Sequence, residues 1–209
     1  MKKKIQLNLG SGIIVAKGFI NVDKYLTLKA IKKLQAQGVK DAVVQRGSSF
    51  VQADICKLPF KDNFADYVET IDTVEHISFR KIQPAFNEIF RVLKPGGKAN
   101  IMTTNFDALA REWTTDISGK EPGTINMPQY LDLMEVIYGN QIHAGEFHCI
   151  PFNPYFLGYL LQQAGFKISK IKMTIFPRGS RIPANKMKTQ TWDKNALTRA
   201  EMILVEATK

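Results

Sequence analysis

The chain has 209 residues, of which 44% are hydrophobic and 23% are charged, and its formal net charge is +10 at pH 7. This length and apolar content predict one domain that spans residues 1–209 around a full core. Its apolar runs are shorter than the roughly 20 residues of a membrane-spanning helix, and its two cysteines are too few for a disulfide framework or a zinc site. We therefore expect a cytoplasmic protein with reduced thiols, whose positive charge favours anionic partners.

The first predicted elements are two strands, about Ile5–Leu9 and Phe19–Val22, which follow one another through a small-residue turn, GSG, at 10–12. The second strand ends on an acid, Asp23. Neighbouring strand ends in an open α/β sheet form a nucleoside cradle, because glycines let the backbone approach the ligand and a carboxylate accepts hydrogen bonds from the two ribose hydroxyls. The pattern therefore predicts a nucleoside-binding site.

Strand-like and helix-like runs alternate along the rest of the chain, which predicts a mostly parallel sheet covered by helices on both faces. In chain order, we predict a helix over 26–37, strands over 49–53 and 67–71, a helix over 82–93, a strand over 98–103, helices over 128–138 and 154–164, and strands over 167–176 and 201–207. The expected fold is α/β, a Rossmann-like sheet of seven strands with the last one antiparallel. A small cap insert, about 105–151, follows the fifth strand.

Three acids lie at or just after the ends of predicted strands: Asp23, Asp54 and Asp72. Ligands of open α/β sheets bind along this edge. Asp23 would hold the ribose. Asp54, followed by Ile55, would place a carboxylate near an adenine amino group and backbone amides near a ring nitrogen.

Dinucleotide binding is the alternative for the glycine turn. Its fingerprint needs a third glycine, three residues after the second, to begin a helix whose N-terminus faces the pyrophosphate. That position is Val15 here, and the stretch between Gly12 and Gly18 is too short for the usual helix. A cofactor without a diphosphate fits better.

The motifs resemble those of class I S-adenosylmethionine-dependent methyltransferases, and more narrowly of the methyltransferase type 11 group. LPF followed by EH and then RVLKPGG, in that order and spacing, is the most specific part of the resemblance. The matching segments are LNLGSG (7–12), GFINVD (18–23), ADICKLPFKDNFAD (53–66), VEHI (74–77), EIFRVLKPGGK (88–98) and GEFHCIPFNPYFLGYLLQQAGF (145–166).

The resemblance implies S-adenosyl-L-methionine as the cofactor and a set of residues that contact it. In the family pattern the turn lines the methionine part, the acid after strand 2 binds ribose, the next acid lies at the adenine, and the segment after strand 4 faces the sulfonium. Carried onto this chain, the set is Asn8, Gly10, Ser11, Gly12, Asp23, Lys24, Asp54, Ile55, Asp72, Thr73 and His76.

Two of these positions depart from the family pattern. Asn8 stands where most class I enzymes have an acid that holds the methionine ammonium group, so that bond would lack charge assistance. Asp72 stands where close relatives often have histidine, which removes any base role borrowed from them.

Methyl transfer from a sulfonium is an in-line displacement, in which the protein positions the nucleophile, excludes water and accepts a proton. We predict His148 as the base, with His143 second, because both precede the helix at 154–164 and the cap insert is expected to face the acceptor. We expect Glu75 and His76 to organise the turn after strand 4. No metal site is predicted, since Gln141 to His148 lacks a recognised ligand spacing.

The connection between the last two strands, about 177–199, is long for a hairpin and carries Arg178, Arg181, Lys186 and Lys188. Loops of this length are commonly functional or disordered. We predict that it borders the acceptor entrance and selects an anionic acceptor.

The resulting functional prediction is a methyltransferase that acts on a small-molecule or glycan-type acceptor at an oxygen atom. One alternative is an RNA or protein methyltransferase, supported by the net charge of +10, although no RNA-binding module is visible and nucleic acid is not favoured. The other is a non-catalytic binding protein with a methyltransferase fold, for which Asn8 and the missing first helix leave room.

Overall fold

The computed structural model describes residues 4–39, 41–121, 123–142, 145–183, 186–189, 198 and 200–209. Strands and helices alternate within these ranges. The strands are β1 (Gln6–Leu9), β2 (Ile14–Val15), β3 (Ile20–Asp23), β4 (Val43–Val44), β5 (Ser49–Gln52), β6 (Ala65–Ile71), β7 (Leu93–Thr104), β8 (Ile171–Phe176) and β9 (Met202–Thr208). The α-helices are α1 (Leu28–Ala36), α2 (Ile82–Val92), α3 (Phe106–Glu112), α4 (Met127–Tyr138) and α5 (Pro154–Ala164).

Seven of these strands form one sheet in the order β5-β3-β1-β6-β7-β9-β8. The first five pair in parallel, and β9 pairs antiparallel with both β7 and β8, so β8 has the same direction as the parallel strands. The predicted fold class is confirmed. From β1 the chain proceeds outward through β3 and β5 and then returns to β6 on the other side. A ligand crevice is expected at the carboxyl ends of β1 and β6, where the strand order reverses.

The central strands are buried on both faces, as expected for a parallel sheet covered by helices. Helices α2 and α5 contribute to the same core cluster. Its fully buried members include Leu7, Leu9, Val68, Ile101 and Val205 from the strands and Phe86, Ile89, Leu157 and Leu161 from the two helices. Burying a side chain of this size contributes roughly 1.5–3 kcal/mol relative to exposure, so this packing holds the strand ends in place.

Local signals place the helix ends close to their predicted positions. The Thr27 hydroxyl accepts a hydrogen bond from the Ala30 amide at the start of α1, and the Asn153 side chain does the same for Phe156 at the start of α5. Gly165 ends α5 in the left-handed conformation at φ +111°. The bounds of α5 coincide with the predicted helix.

Four features differ from the sequence prediction. Strands β2 and β4 pair in a separate two-stranded sheet and are too short for periodicity to reveal. Strand β7 begins at Leu93 instead of Lys98 and changes register opposite Ala65–Tyr67. The cap insert contains α3, which continues as a π-helical turn. A 3₁₀ turn precedes β8, so the strand begins at Ile171.

The LPF and RVLKPGG motifs contact each other through α2. The Glu88 carboxylate accepts hydrogen bonds from the Leu58 amide at 2.7 Å and from Arg91 Nε at 2.6 Å. Arg91 Nη1 in turn donates to the Phe60 carbonyl at 2.7 Å. Arg91 holds the pKa of Glu88 below its usual range, and the two side chains fix the loop that follows Asp54.

A buried carboxylate ties part of the predicted basic loop to the sheet. Glu69 is 0% exposed and accepts hydrogen bonds from the Lys188 amide at 2.8 Å, the Thr189 amide at 2.7 Å and the Tyr67 hydroxyl at 2.6 Å. The Thr189 hydroxyl also donates to it. Together, these hydrogen-bond donors compensate the negative charge of the buried Glu69 carboxylate.

Two of the four named cations of the loop, Arg178 and Lys186, form ion pairs with acids of the protein itself. Arg178 pairs with Glu112 of α3 and with Asp132 of α4, the latter at 2.5 Å, and Lys186 pairs with Glu206 of β9 at 2.6 Å. Lys188 Nζ lies 3.7 Å from the centroid of the Tyr67 ring. The loop therefore braces the cap insert and the sheet, and its predicted role in selecting an anionic acceptor stays a prediction.

In the part of the chain that the structure describes, no helix is long and apolar enough to cross a membrane.

Candidate functional site

A cavity of about 330 Å³ opens at the carboxyl ends of β1, β3, β5 and β6. All of the predicted cofactor residues except Asn8 and Ser11 line it. The lining members of that set are Gly10, Gly12, Asp23, Lys24, Asp54, Ile55, Asp72, Thr73 and His76. The tertiary structure thus gathers segments that are far apart in the chain at the sheet edge where the strand order reverses.

The glycine turn lets β1 and the segment after β6 approach closely. Gly10 and Gly12 have φ values of +67° and +53°, which favour glycine. A Cβ atom on Gly10 would lie 2.1 Å from Thr73 Cγ2, whereas a Cβ atom on Gly12 would meet nothing within 4 Å. The Thr73 hydroxyl donates to the Ile71 carbonyl at 2.8 Å and lies 3.2 Å from the Gly10 carbonyl. Only a glycine at position 10 fits this contact.

Asp23 is held rigidly at the cavity wall. Its Oδ2 atom accepts a hydrogen bond from the Gly12 amide at 3.0 Å, and its Oδ1 atom accepts from the amides of Tyr25 and Leu26 at 2.8 and 2.9 Å. A carboxylate accepts at about four positions, so these amides leave it able to accept a further bond from a ribose hydroxyl. The amides orient the acid before a ligand arrives.

Asp54 forms an ion pair at the same wall, between its Oδ2 atom and Lys24 Nζ at 3.0 Å. Its Oδ1 atom accepts from the Cys56 amide at 2.9 Å. Burial opposes ionisation of Asp54, but the hydrogen bonds from Cys56 and Lys24 outweigh it and hold the pKa below its usual value. The hydrogen bond that Lys24 donates to Asp54 raises the pKa of Lys24. An adenine amino group would therefore share this carboxylate with Lys24.

Asn8 and Ser11 lie behind the cavity wall. The Asn8 amide donates to Asn21 Oδ1 at 3.0 Å, and Asn21, which is 0% exposed, accepts from the Ala16 amide and donates to the Ser49 carbonyl, both at 2.9 Å. The Ser11 hydroxyl is buried and has no hydrogen-bond partner among the described residues. The cofactor roles of Asn8 and Ser11 stay predictions. Asn21, a polar residue within an apolar strand, is a signal that sequence reasoning missed.

Two acids follow β6, of which Glu75 is buried and Asp72 is exposed. Burial, together with the nearby charge of Asp72, raises the pKa of Glu75 above its ordinary value. Glu75 is 3% exposed, and neither of its carboxylate oxygens has a hydrogen-bond partner among the described residues. The Thr103 hydroxyl and the backbone amides of Glu75 and Thr73 lie near enough to offset part of this shift, but none of them is in hydrogen-bonding geometry with a Glu75 oxygen.

His76 and His148 contact each other edge to face, with ring centroids 4.6 Å apart. His76 Nδ1 lies 3.1 Å from the Phe147 carbonyl, and His148 Nδ1 lies 2.8 Å from the Val136 carbonyl. Because a carbonyl only accepts, both bonds require a proton on Nδ1, which leaves Nε2 as the basic atom. Burial lowers the pKa of His148, so its imidazole is neutral at pH 7. His143 lies outside the described residues.

A second cavity, of about 230 Å³, lies beneath the cap insert. Cys149 lines both cavities, and the contact between His76 and His148 joins the cofactor side to the insert side. Apart from Glu75, the lining is mainly apolar and hydroxyl-bearing, with Thr103, Thr104, Phe106, Leu109, Val136, Ile137, Tyr138, His148, Ile150, Pro151 and Phe152. The predicted base therefore faces a space next to the first cavity.

Part of the chain is similar to known proteins. Residues 15–101 match the family described as a methyltransferase domain. An uncharacterised protein of Methanocaldococcus jannaschii is 45% identical over 60 residues, which are 29% of this chain and 25% of that protein. A sterol 24-C-methyltransferase of Gibberella zeae is 35% identical over 78 residues, 37% of this chain and 19% of that protein. The matched segments span a quarter or less of these curated relatives.

Solved structures share the fold over the whole chain at low identity. A methyltransferase of Methanosarcina mazei, described as S-adenosylmethionine-dependent, superposes with a TM-score of 0.58 at 15% identity and covers 100% of this chain and 94% of its own. Human N-acetylserotonin methyltransferase, solved in complex with S-adenosylmethionine, gives a TM-score of 0.53 at 14% identity over 99% of this chain and 47% of its own. What these neighbours share with the chain is the fold.

Proposed function

We propose that this chain, a class I S-adenosylmethionine-dependent methyltransferase, methylates a hydroxyl group of a small-molecule or glycan-type acceptor. Its cofactor is S-adenosyl-L-methionine. The observation that carries the proposal is the contact between His76 and His148, which joins the cavity at the sheet edge to the cavity beneath the insert. Cofactor and acceptor would occupy neighbouring spaces on either side of this contact.

The first cavity offers the groups that an adenosine with an amino-acid tail requires. Asp23, oriented by its three amide donors, would accept a bond from the ribose, and the Ile55 segment would flank the adenine. Thr73 and His76 line the wall after β6, where the family pattern puts the sulfonium. S-adenosylmethionine supplies an activated methyl group, so the protein mainly has to position the acceptor and exclude water.

The second cavity suits a small ring-shaped acceptor. Phe106, Tyr138 and Phe152 offer aromatic surface, and Thr103 and Thr104 belong to the same wall. Aromatic faces and hydroxyls of this kind bind sugar rings and phenols through apolar contact and a few polar bonds. The proposal also includes an anionic acceptor, and Arg181 is the loop cation whose effect on acceptor affinity would be tested first.

His148 would accept the proton of the acceptor hydroxyl. Its Nδ1 proton is committed to the Val136 carbonyl, so Nε2 carries the lone pair, and its lowered pKa keeps that lone pair available at pH 7. A positioned general base typically contributes a factor of about 10²–10⁴ in rate. His148→Gln should therefore lower kcat by about this factor and leave cofactor affinity nearly unchanged.

Calorimetry with S-adenosylhomocysteine tests the cofactor part of the proposal. The wild-type protein should bind it, and Asp23→Asn should bind at least about tenfold more weakly, because one acceptor oxygen and its orientation are lost. Asp62→Asn is the matched control, since Asp62 contacts Arg91 on α2 and does not line the cavity. A wild-type protein that binds neither S-adenosylmethionine nor its product would instead be a non-catalytic member of this fold.

A release assay for S-adenosylhomocysteine tests the acceptor class. We would compare phenols, sugars, amines and RNA as acceptors at matched concentrations. Turnover with hydroxyl acceptors supports the proposal. Turnover with RNA alone, falling steeply as salt rises, would replace it with the RNA alternative, because phosphate contacts release counterions.

A further inference from the structure

We propose that Glu75, His76 and His148 bind a divalent transition-metal ion at the boundary between the two cavities. The sequence did not predict a metal site, because the stretch from Gln141 to His148 lacks a recognised ligand spacing. The tertiary structure brings a ligand atom from each of the three residues within 4.8 Å of the others. Ligands of a common zinc ion lie about 2.0–2.2 Å from it, so small side-chain rotations would close the site.

Glu75 is the strongest part of the argument. It is 3% exposed, and both of its carboxylate oxygens lack a hydrogen-bond partner in the described part of the chain. Burying a charged group without compensation is costly, and buried carboxylates are normally paired, protonated or bound to metal. The fully bonded carboxylate of Glu69 shows how this same protein compensates a buried acid elsewhere. A cation at Glu75 would supply the missing partner.

The histidines have the orientation of metal ligands. Each directs Nδ1 at a backbone carbonyl, that of Phe147 for His76 and that of Val136 for His148. Metal-binding histidines commonly donate their second ring N–H to a carbonyl or carboxylate, which fixes the tautomer and raises the basicity of the other nitrogen.

The ligand set indicates the class of metal. Two imidazoles and one carboxylate suit zinc, iron, cobalt, nickel or manganese, whereas magnesium and calcium prefer oxygen ligands alone. Three protein ligands leave at least one coordination position, which an acceptor oxygen or water can occupy. Because His76 lines the cofactor cavity and His148 lines the cavity beneath the insert, this position would be reachable from both.

The consequence for the reaction rests on the proposed function. When bound, the ion would lower the pKa of an acceptor hydroxyl, whose proton would pass to water, so that the acceptor oxygen could attack the methyl carbon of the cofactor. The oxygen–carbon bond forms as the carbon–sulfur bond breaks, giving a methyl ether, S-adenosylhomocysteine and one proton released to solvent. With the ion bound, the Nε2 lone pair of His148 would hold the ion, and water would accept the acceptor proton in place of His148.

Metal titration of chelator-treated protein tests the site independently of methyl transfer. After dialysis against EDTA and its removal, Zn²⁺ titrated by calorimetry should bind once per chain with a Kd of micromolar or lower. Co²⁺ should give visible d–d absorption bands. Glu75→Gln and His148→Gln should each weaken binding at least tenfold, with folding checked by circular dichroism. Cys149→Ser is the matched control for thiol binding and should leave the affinity unchanged, because Cys149 is not in the cluster.

Absence of binding at 100-fold molar excess of either ion to protein would overturn the site, as would binding that both ligand variants retain. The affinity of the EDTA-treated protein for S-adenosylhomocysteine separates failure of the metal site from failure of the proposed function. Apart from His76, the predicted cofactor residues are not in the metal cluster, so a protein without a metal site should still bind S-adenosylhomocysteine. Turnover should fall at least tenfold on chelation and return with the ion. Turnover that is unaffected by EDTA would overturn the catalytic role and leave His148 as the base.

Discussion

Replacing Gly10 by alanine tests whether the contact between the glycine turn and Thr73 holds the cofactor edge together. Both glycines of the turn have positive φ, at +67° for Gly10 and +53° for Gly12. A Cβ on Gly10 would lie 2.1 Å from Thr73 Cγ2 and 2.4 Å from Thr73 Oγ1, and Gly12 has open space at the same atom. The two glycines therefore form a matched pair that differs only in the steric contact.

The expected cost of each substitution follows from this difference. An alanine in the left-handed conformation costs about 1–2 kcal/mol in either variant. Forcing a methyl group into a packed contact typically adds about 1–3 kcal/mol, and only Gly10→Ala meets such a contact. Gly12→Ala should thus lower the free energy of unfolding by about 1–2 kcal/mol and Gly10→Ala by about 2–5 kcal/mol.

Urea unfolding monitored by circular dichroism measures both values. A double-mutant cycle of Gly10→Ala with Thr73→Ala should recover part of the extra cost, because Cγ2 and Oγ1 are removed and only Thr73 Cβ remains, at 2.7 Å. Equal destabilisation by Gly10→Ala and Gly12→Ala, or a cycle with no coupling, would show that the turn and Thr73 do not touch in solution.

Three further variants test the buried and exposed charges. Glu69→Gln should lower the free energy of unfolding by about 2–4 kcal/mol in urea titrations, because the backbone and hydroxyl donors around Glu69 would then face an amide group. The control variant Glu206→Gln, at a partly exposed position, should cost less than about 1 kcal/mol. Similar costs for the two variants would contradict the hydrogen bonds assigned to Glu69. Glu88→Gln should cost about 1–2 kcal/mol at pH 7. A carboxyl with a lowered folded pKa stabilises fully above its unfolded value of 4.5, so this difference should decline as the pH falls below that value and be lost as it falls through the lower folded pKa, and a pH-independent cost would speak against the ion pair. Arg178→Ala should speed limited proteolysis of the cap insert, while Arg111→Ala, which removes an ion pair with Glu201 of 3.7 Å, should not.

Much of the fold could be read from local sequence signals. Seven predicted strands correspond to the seven strands of the sheet, and α5 has the predicted bounds, because Asn153, Pro154 and Gly165 act on residues within one or two turns. The α3 helix and the β2–β4 pair were not predicted. Short elements are stabilised by the contacts they make with distant segments and leave little periodicity in the sequence.

The sheet edge with the first cavity was also largely predictable, and the match of residues 15–101 to a methyltransferase domain agrees with the predicted family. Most of the predicted contact residues line one cavity, because parallel strands bring their carboxyl ends to the same edge. The direction of the Asn8 side chain was not predictable, since it depends on Asn21 in the neighbouring strand.

The sequence by itself determined the strand and helix order, the glycine turn and the row of acids, since each depends on residues close together in the chain. Only the tertiary structure decided which charged groups meet. His76 lies 71 residues before the carbonyl it contacts, and Glu69 lies 120 residues before the Thr189 amide. Contacts across such separations depend on how the sheet and helices pack, and no local pattern encodes them. The junction of Glu75, His76 and His148 therefore exists only in the folded chain.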